Sequence, residues 1–262
     1  MNDKPTLLLE HYLKQLKLPT MLREYAAVAA SCGNERLDYA AFLMRLAERE
    51  VLDREQRAAE RRLKAATFPI IKTIDTFDFK VQSSLNEELV RQLLRGEYIE
   101  RRENILLVGN AGTGKTHLAT ALAFSACAQG YRVRFFSVTG LVTHLLEQRE
   151  IGKLERLQKQ IERYDLLVLD ELGYVPFSKA GAELLFEVAS RAYERRSLIV
   201  TTNLPFEAWT EVLGNARLTG ALLDRLTHRV HIIEANGESY RLRDSKNRLK
   251  RPKRGSDQEE KE

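Results

Sequence analysis

Gly109-Asn110-Ala111-Gly112-Thr113-Gly114-Lys115-Thr116 is the stretch whose reading decides the fold. It fits G-x-x-x-x-G-K-[ST], the phosphate-binding loop. Before it, Ile105-Leu106-Leu107-Val108 is a short apolar run that reads as a buried strand. After it, Leu118, Ala121, Leu122 and Phe124 recur at helical spacing between His117 and Gln129. Strand, glycine-rich turn and helix N-terminus together make an anion site. Glycines let backbone N–H groups turn toward a phosphate, and the helix dipole adds positive potential. Lys115 is expected to reach the β- and γ-phosphates, and Thr116 to place its hydroxyl on Mg2+. The candidate nucleotide-binding set is Gly109, Asn110, Ala111, Gly112, Thr113, Gly114, Lys115, Thr116 and His117.

A second piece follows in Asp165-Leu166-Leu167-Val168-Leu169-Asp170-Glu171, an apolar strand that ends in two carboxylates. Ligands of open α/β sheets bind at the carboxyl ends of the strands. Asp170 is therefore placed to hold Mg2+, directly or through water, and Glu171 to orient and polarise an attacking water. A third piece is Ser197-Leu198-Ile199-Val200-Thr201-Thr202-Asn203. If this strand neighbours the phosphate-loop strand, Asn203 would touch the γ-phosphate or the water; an ordinary turn residue before Pro205 would read the same way. The fourth is Leu222-Leu223-Asp224-Arg225-Leu226. Arg225, supplied to a neighbouring subunit, could neutralise charge developing on the γ-phosphate; a surface ion pair with Asp224 as its basis is the plainer alternative.

Around these pieces, strands read at 132–138, 198–202 and 230–233, with helices at 117–129, 139–164 and 180–195. Alternating strand and helix predicts an α/β fold: a parallel five-stranded sheet flanked by helices, with right-handed crossovers. Residues 1–66 read as a small helical domain. Leu8, Tyr12, Leu13 and Leu16 share one face, Pro19 interrupts, and Asp38 is a candidate cap for a long helix. From Arg45 to Lys64 that helix is dense in charge of both signs. It reads either as a solvated face or as a surface for DNA or self-assembly. Pro69 ends it, and 67–80 reads as a linker in which Phe77 and Phe79 pin the chain to a core or lie near a base. The nucleotide-binding domain is expected over 81–245, and 246–262 is a charged tail expected to be disordered.

The totals set bounds. The chain has 262 residues and a net charge of +5, with 44% hydrophobic and 30% charged residues. A substantial core can form, and a polyanion partner is permitted. No apolar run approaches the ~20 residues of a membrane span. Met1-Asn2-Asp3-Lys4-Pro5 lacks a signal-peptide pattern, and Cys32 and Cys127 form no framework, so a reducing, cytoplasmic setting is expected.

Longer blocks carry a resemblance. Asp170-Glu171-Leu172-Gly173-Tyr174-Val175-Pro176-Phe177, Arg191-Ala192-Tyr193-Glu194-Arg195-Arg196-Ser197, Thr202-Asn203-Leu204-Pro205-Phe206-Glu207-Ala208-Trp209, Leu223-Asp224-Arg225-Leu226 and Ser239-Tyr240-Arg241-Leu242-Arg243 resemble the IstB-type transposition ATPase of bacterial insertion sequences. That family is a relative of the DnaC helicase loader in the AAA+ class. The resemblance runs from about residue 4 to about residue 250. It implies Asn203 as sensor 1, Arg225 as the arginine finger and Arg241 as the sensor 2 arginine. It also implies ATP with Mg2+, homo-oligomers that share their ATP sites, duplex DNA, and the transposase of the same element as partners. Two alternatives stand beside it. A helicase loader usually lacks the Gly173–Phe177 and Arg191–Ser197 blocks. A small-molecule kinase would need a phosphoacceptor pocket and no arginine in trans.

Overall fold

The computed structural model describes residues 3–82, 84–237 and 239–240, with side chains described from residue 5. Arg241 and the basic and acidic tail after it lie outside the described residues. The chain divides into two compact units, residues 1–61 and 62–262.

The first unit holds α1 (Asp3–Gln15), α2 (Pro19–Asn34) and most of α3 (Tyr39–Ala66). Its small core joins Val28 and Cys32 of α2 to Leu46 of α3, with Met21, Tyr25 and Phe42 against them. Asp38 caps α3 as expected: its Oδ1 accepts the Ala41 N–H at 2.7 Å. The start of α2 is satisfied from a distance. Pro19 offers no N–H, and the next two donors, Thr20 and Met21, give theirs to buried Glu50 Oε2 at 2.8 and 3.0 Å.

The second unit contains α4 (Glu87–Leu93), α5 (Glu97–Glu100), β1 (Asn104–Val108), α6 (Lys115–Ala128), β2 (Val133–Ser137), α7 (Val138–Glu150), α8 (Leu154–Ile161), β3 (Leu166–Leu172), α9 (Lys179–Ala192), β4 (Ser197–Thr202), α10 (Trp209–Leu213), α11 (Ala216–Thr227) and β5 (Val230–Glu234). All strand pairings are parallel, in the order β2-β3-β4-β1-β5. Alternate strand residues point to opposite faces. Leu106, Leu167, Leu169, Leu198 and Val200 therefore join one core, against α7, α9, α10 and α11. Ile105, Leu107, Leu166, Val168 and Ile199 join the other, against α4, α5 and α6. A sheet covered on both faces reads as continuous apolar runs, which is how these strands appear in the sequence. Each buried aliphatic side chain contributes about 1.5–3 kcal/mol of transfer free energy.

One detail differs from the sequence reading. The 139–164 segment is two helices, because Gly152 takes a left-handed φ of 68° in the turn at 151–153. In the 67–80 stretch, Phe77 and Phe79 pack against the α6 side of the core, and Phe68 and Ile74 join them. No helix among the described residues is long and apolar enough to cross a membrane.

Candidate nucleotide site

The strand order puts the carboxyl ends of β3, β4 and β1 side by side, and every charged candidate of the loop and the acidic strand gathers there. Two glycines make the turn after β1 possible. Gly109 has φ 146°, and a Cβ on it would overlap the Ala235 carbonyl just past β5. Gly114 has φ 95°, and a Cβ on it would press at 2.8 Å on the Phe77 ring. Phe77 in turn meets the His117 ring edge to face, with centroids 5.1 Å apart. Beyond β5, the Tyr240 N–H donates to Gly112 O at 2.9 Å, fastening Tyr240 to the loop.

Lys115 is buried at the first turn of α6. Its Nζ donates to Gly109 O at 2.7 Å and Asn110 O at 2.6 Å, so the ammonium bridges the loop's own carbonyls. Thr116 Oγ1 donates to Asp170 Oδ1 at 2.9 Å, joining the loop to the acidic strand. Asp170 is buried, 6% exposed, whereas Glu171 beside it is exposed. That contrast comes from an irregularity. The β3–β4 register shifts between Leu169 and Leu172, and Glu171 adopts φ 63°. Such bulges re-aim side chains near functional sites, and the left-handed region is costly for a non-glycine residue.

Thr201, which the sequence reading passed over, sits inside this irregularity. Its Oγ1 donates to Asp170 Oδ1 at 2.6 Å and accepts the Glu171 N–H at 2.9 Å. A buried hydroxyl requires a partner, and that is the available signal, though Ser197 and Thr202 of the same buried strand share it. Asn203 is exposed one residue past β4, and β4 does neighbour β1, the condition set for its role. Arg225 lies elsewhere, on α11: its guanidinium is over the Phe186 ring at 4.7 Å and donates to Ala221 O at 2.8 Å. No contact joins it to the loop of its own chain among the described residues. His117 is anchored outward, with Nε2 3.0 Å from Thr73 O and 3.2 Å from Thr76 Oγ1. Burial lowers the pKa of its imidazole; Lys72 adds to this and the Thr73 bond opposes it.

A magnesium–nucleotide complex fits these groups. The glycine turn, the helix N-terminus and Lys115 suit phosphate oxygens. Thr116 and Asp170 offer one hydroxyl and one carboxylate, and no cluster of three His, Cys, Asp or Glu suited to a metal exists among the described residues. Mg2+ accepts so sparse a protein shell, because phosphates and waters complete its octahedron.

The comparisons agree with this geometry. Residues 11–248 match the family model of IstB-like ATP binding proteins. The chain belongs to the IstB family. A relative from Geobacillus stearothermophilus, named as an ATP-binding protein of insertion sequence IS5376, is 38% identical over 91% of this chain and 95% of its own. One from Pseudomonas aeruginosa, named for insertion sequence IS21, is 37% identical over 91% and 90%. Among solved structures, AMPPCP-bound DnaA from Aquifex aeolicus superposes with a TM-score of 0.54 at 23% identity, covering 70% of this chain and 55% of that one. DnaI does so with 0.50 at 15%, covering 64% and 89%. These likenesses establish the fold, that of AAA+ phosphate-loop ATPases, which the IstB chain combines with a small helical N-terminal unit.

Proposed function

We propose that this IstB-family protein binds ATP with Mg2+, hydrolyses it, assembles on duplex DNA as oligomers with shared ATP sites, and assists the transposase of its insertion sequence. The observation that carries the nucleotide chemistry is the meeting of Thr116 and Asp170 beside Lys115 and the phosphate loop. The insertion-sequence context comes from the family and from the names of the relatives. Family membership also favours transposition over helicase loading, and the chain's setting is taken to be the cytoplasm.

In this reading Lys115 leaves the carbonyls of Gly109 and Asn110 for the β- and γ-phosphates, exchanging neutral acceptors for charged ones. Backbone N–H groups from Gly109 to Thr116 and the N-terminus of α6, where His117 completes the first turn, hold the phosphate oxygens. Mg2+, when bound, neutralises charge across the phosphates; Thr116 and Asp170 are the side chains that hold it. Glu171 orients the attacking water, and Asn203 reads the γ-phosphate. Arg225 serves the neighbouring subunit's site, and Arg241, outside the described residues, acts on the nucleotide as sensor 2. Residues 1–66 serve DNA contact and self-assembly, 81–245 the ATPase.

Nucleotide binding and phosphate release, measured separately, test this. Lys115→Ala should abolish ATP binding. Glu171→Gln should bind ATP and release no phosphate. Normal hydrolysis by Glu171→Gln would remove the assigned base.

A further inference from the structure

Thr201 touches both acidic residues of the site, and no role assigned so far uses it. A threonine hydroxyl has one proton to give and lone pairs to receive. Here the proton goes to Asp170 Oδ1 at 2.6 Å, and the oxygen receives the Glu171 backbone N–H at 2.9 Å. Thr201 is 1% exposed, so water does not compete. Asp170 Oδ1 is thus held from two elements, by Thr116 at the start of α6 and by Thr201 near the end of β4.

The second bond explains the backbone. Where β3 slips against β4 between Leu169 and Leu172, the Glu171 N–H is taken by a side chain of β4 instead of a carbonyl. Glu171 stays at φ 63°, a conformation that persists only when its surroundings impose it. Removing the hydroxyl would orphan that N–H and free one side of the Asp170 carboxylate. Thr201 also stands two residues before Asn203, so one short segment carries the tie to both acids and the proposed γ-phosphate reader.

We infer that Thr201 is a positioning residue: it fixes Asp170 toward Thr116 and holds Glu171 in the bulge from which its carboxylate stands exposed. The inference rests on the ATPase reading for its effect on rate, and on geometry alone for its hold on Glu171. A merely structural hydroxyl predicts something else, namely stability, nucleotide affinity and rate falling together.

The full chain is compared as wild type, Thr201→Val, which keeps the shape without the hydroxyl, and Thr201→Ser, which keeps both bonds. Phosphate release at saturating ATP, affinity for a fluorescent ATP analogue, melting temperature and nucleotide-free amide exchange at Glu171 are measured. Outer partners of this kind are worth about 10–100-fold in activity. Thr201→Val should lose rate on that scale with nucleotide affinity unchanged, and its Glu171 amide should exchange faster. Thr201→Ser should restore both. Wild-type rate in Thr201→Val, or rate lost only in step with affinity and melting temperature, would overturn the inference, as would failure of the serine to rescue. Should the valine variant not fold, Thr201→Cys, with its weak donor, takes its place under the same criteria. If the wild type releases no phosphate, the ATPase reading fails, yet amide exchange still decides: equal exchange at Glu171 in all variants rejects the role of Thr201.

Discussion

The Arg225 guanidinium rests over the Phe186 ring, 4.7 Å from its centroid, on the α9–α11 face of its own subunit. Both residues are half-buried, and a cation–π contact of this kind contributes about 0.5–2 kcal/mol. An arginine finger contributes about 10³–10⁵ in rate, roughly 4–7 kcal/mol of barrier. The ring can therefore hold Arg225 between encounters without competing against a neighbour's γ-phosphate. Arg225→Ala should bind ATP and hydrolyse poorly, whereas Phe186→Leu should hydrolyse nearly as the wild type. Mixing Arg225→Ala with Glu171→Gln should recover some activity, because some interfaces then unite an intact finger with an intact base. Phosphate release across mixing ratios, in oligomers shown to be mixed, reads this out; no recovery at any ratio would sink the trans assignment.

His117 gives the fold around the loop a pH dependence. Its ordinary pKa of 6.5 is lowered in the folded chain, first by burial and then by Lys72, with the Thr73 hydrogen bond opposing. The unfolded chain therefore takes up the proton first as pH falls. The contribution of the neutral imidazole is complete above the unfolded value and is lost as pH drops through the window beneath it, toward the lowered folded value. The melting temperature of the wild type should fall between about pH 7.5 and 5.5 more than that of His117→Asn. Equal falls would mean that the ring titrates alike in both states.

Much of this site is local in the chain and so is legible without coordinates. The phosphate loop is eight consecutive residues, and each strand of a doubly covered parallel sheet is a short apolar run. Asp170 and Glu171 announce themselves by ending such a run. What escaped depends on register. Thr201 matters only because β3 slips against β4, and nothing in Val200-Thr201-Thr202 encodes that slip. The break at Gly152 was lost beneath helix-forming residues on both sides. In residues 67–80 the aromatic pair Phe77 and Phe79 was legible as an anchor to a core, whereas the packing of Phe68 and Ile74 beside it was not. In the 45–64 helix, charge was visible but pairing was not.

That pairing decides which cations can serve DNA. Arg45 is bound to Glu35 at 2.7 Å, Arg49 to Glu24 at 2.9 Å, and Arg57 to Asp53 at 3.0 Å and Glu50 at 3.6 Å. Arg57 also donates to Thr20 Oγ1 at 3.2 Å. Arg62 gives its Nε–H to Cys127 O at 2.9 Å. Lys14, Lys17 and Arg61, by contrast, are exposed, have no carboxylate partner among the described residues, and line one open cleft of about 750 Å³ in the N-terminal unit. Reversing Arg57 or Arg62 would disturb the fold, so a loss of DNA binding there would prove little. Neutralising Lys14, Lys17 and Arg61 to Gln should weaken ATP-dependent binding to duplex DNA while leaving melting temperature and ATP affinity unchanged. Each phosphate contact removed should flatten the log–log salt dependence by about 0.9, and oligomerisation multiplies the effect over subunits. Anisotropy on duplex and single-stranded probes, with and without ATP, measures it. Wild-type affinity in the triple variant, with binding lost on truncation at residue 241, would move the contact to the basic tail. Preference for single strands would instead favour a helicase-loader role.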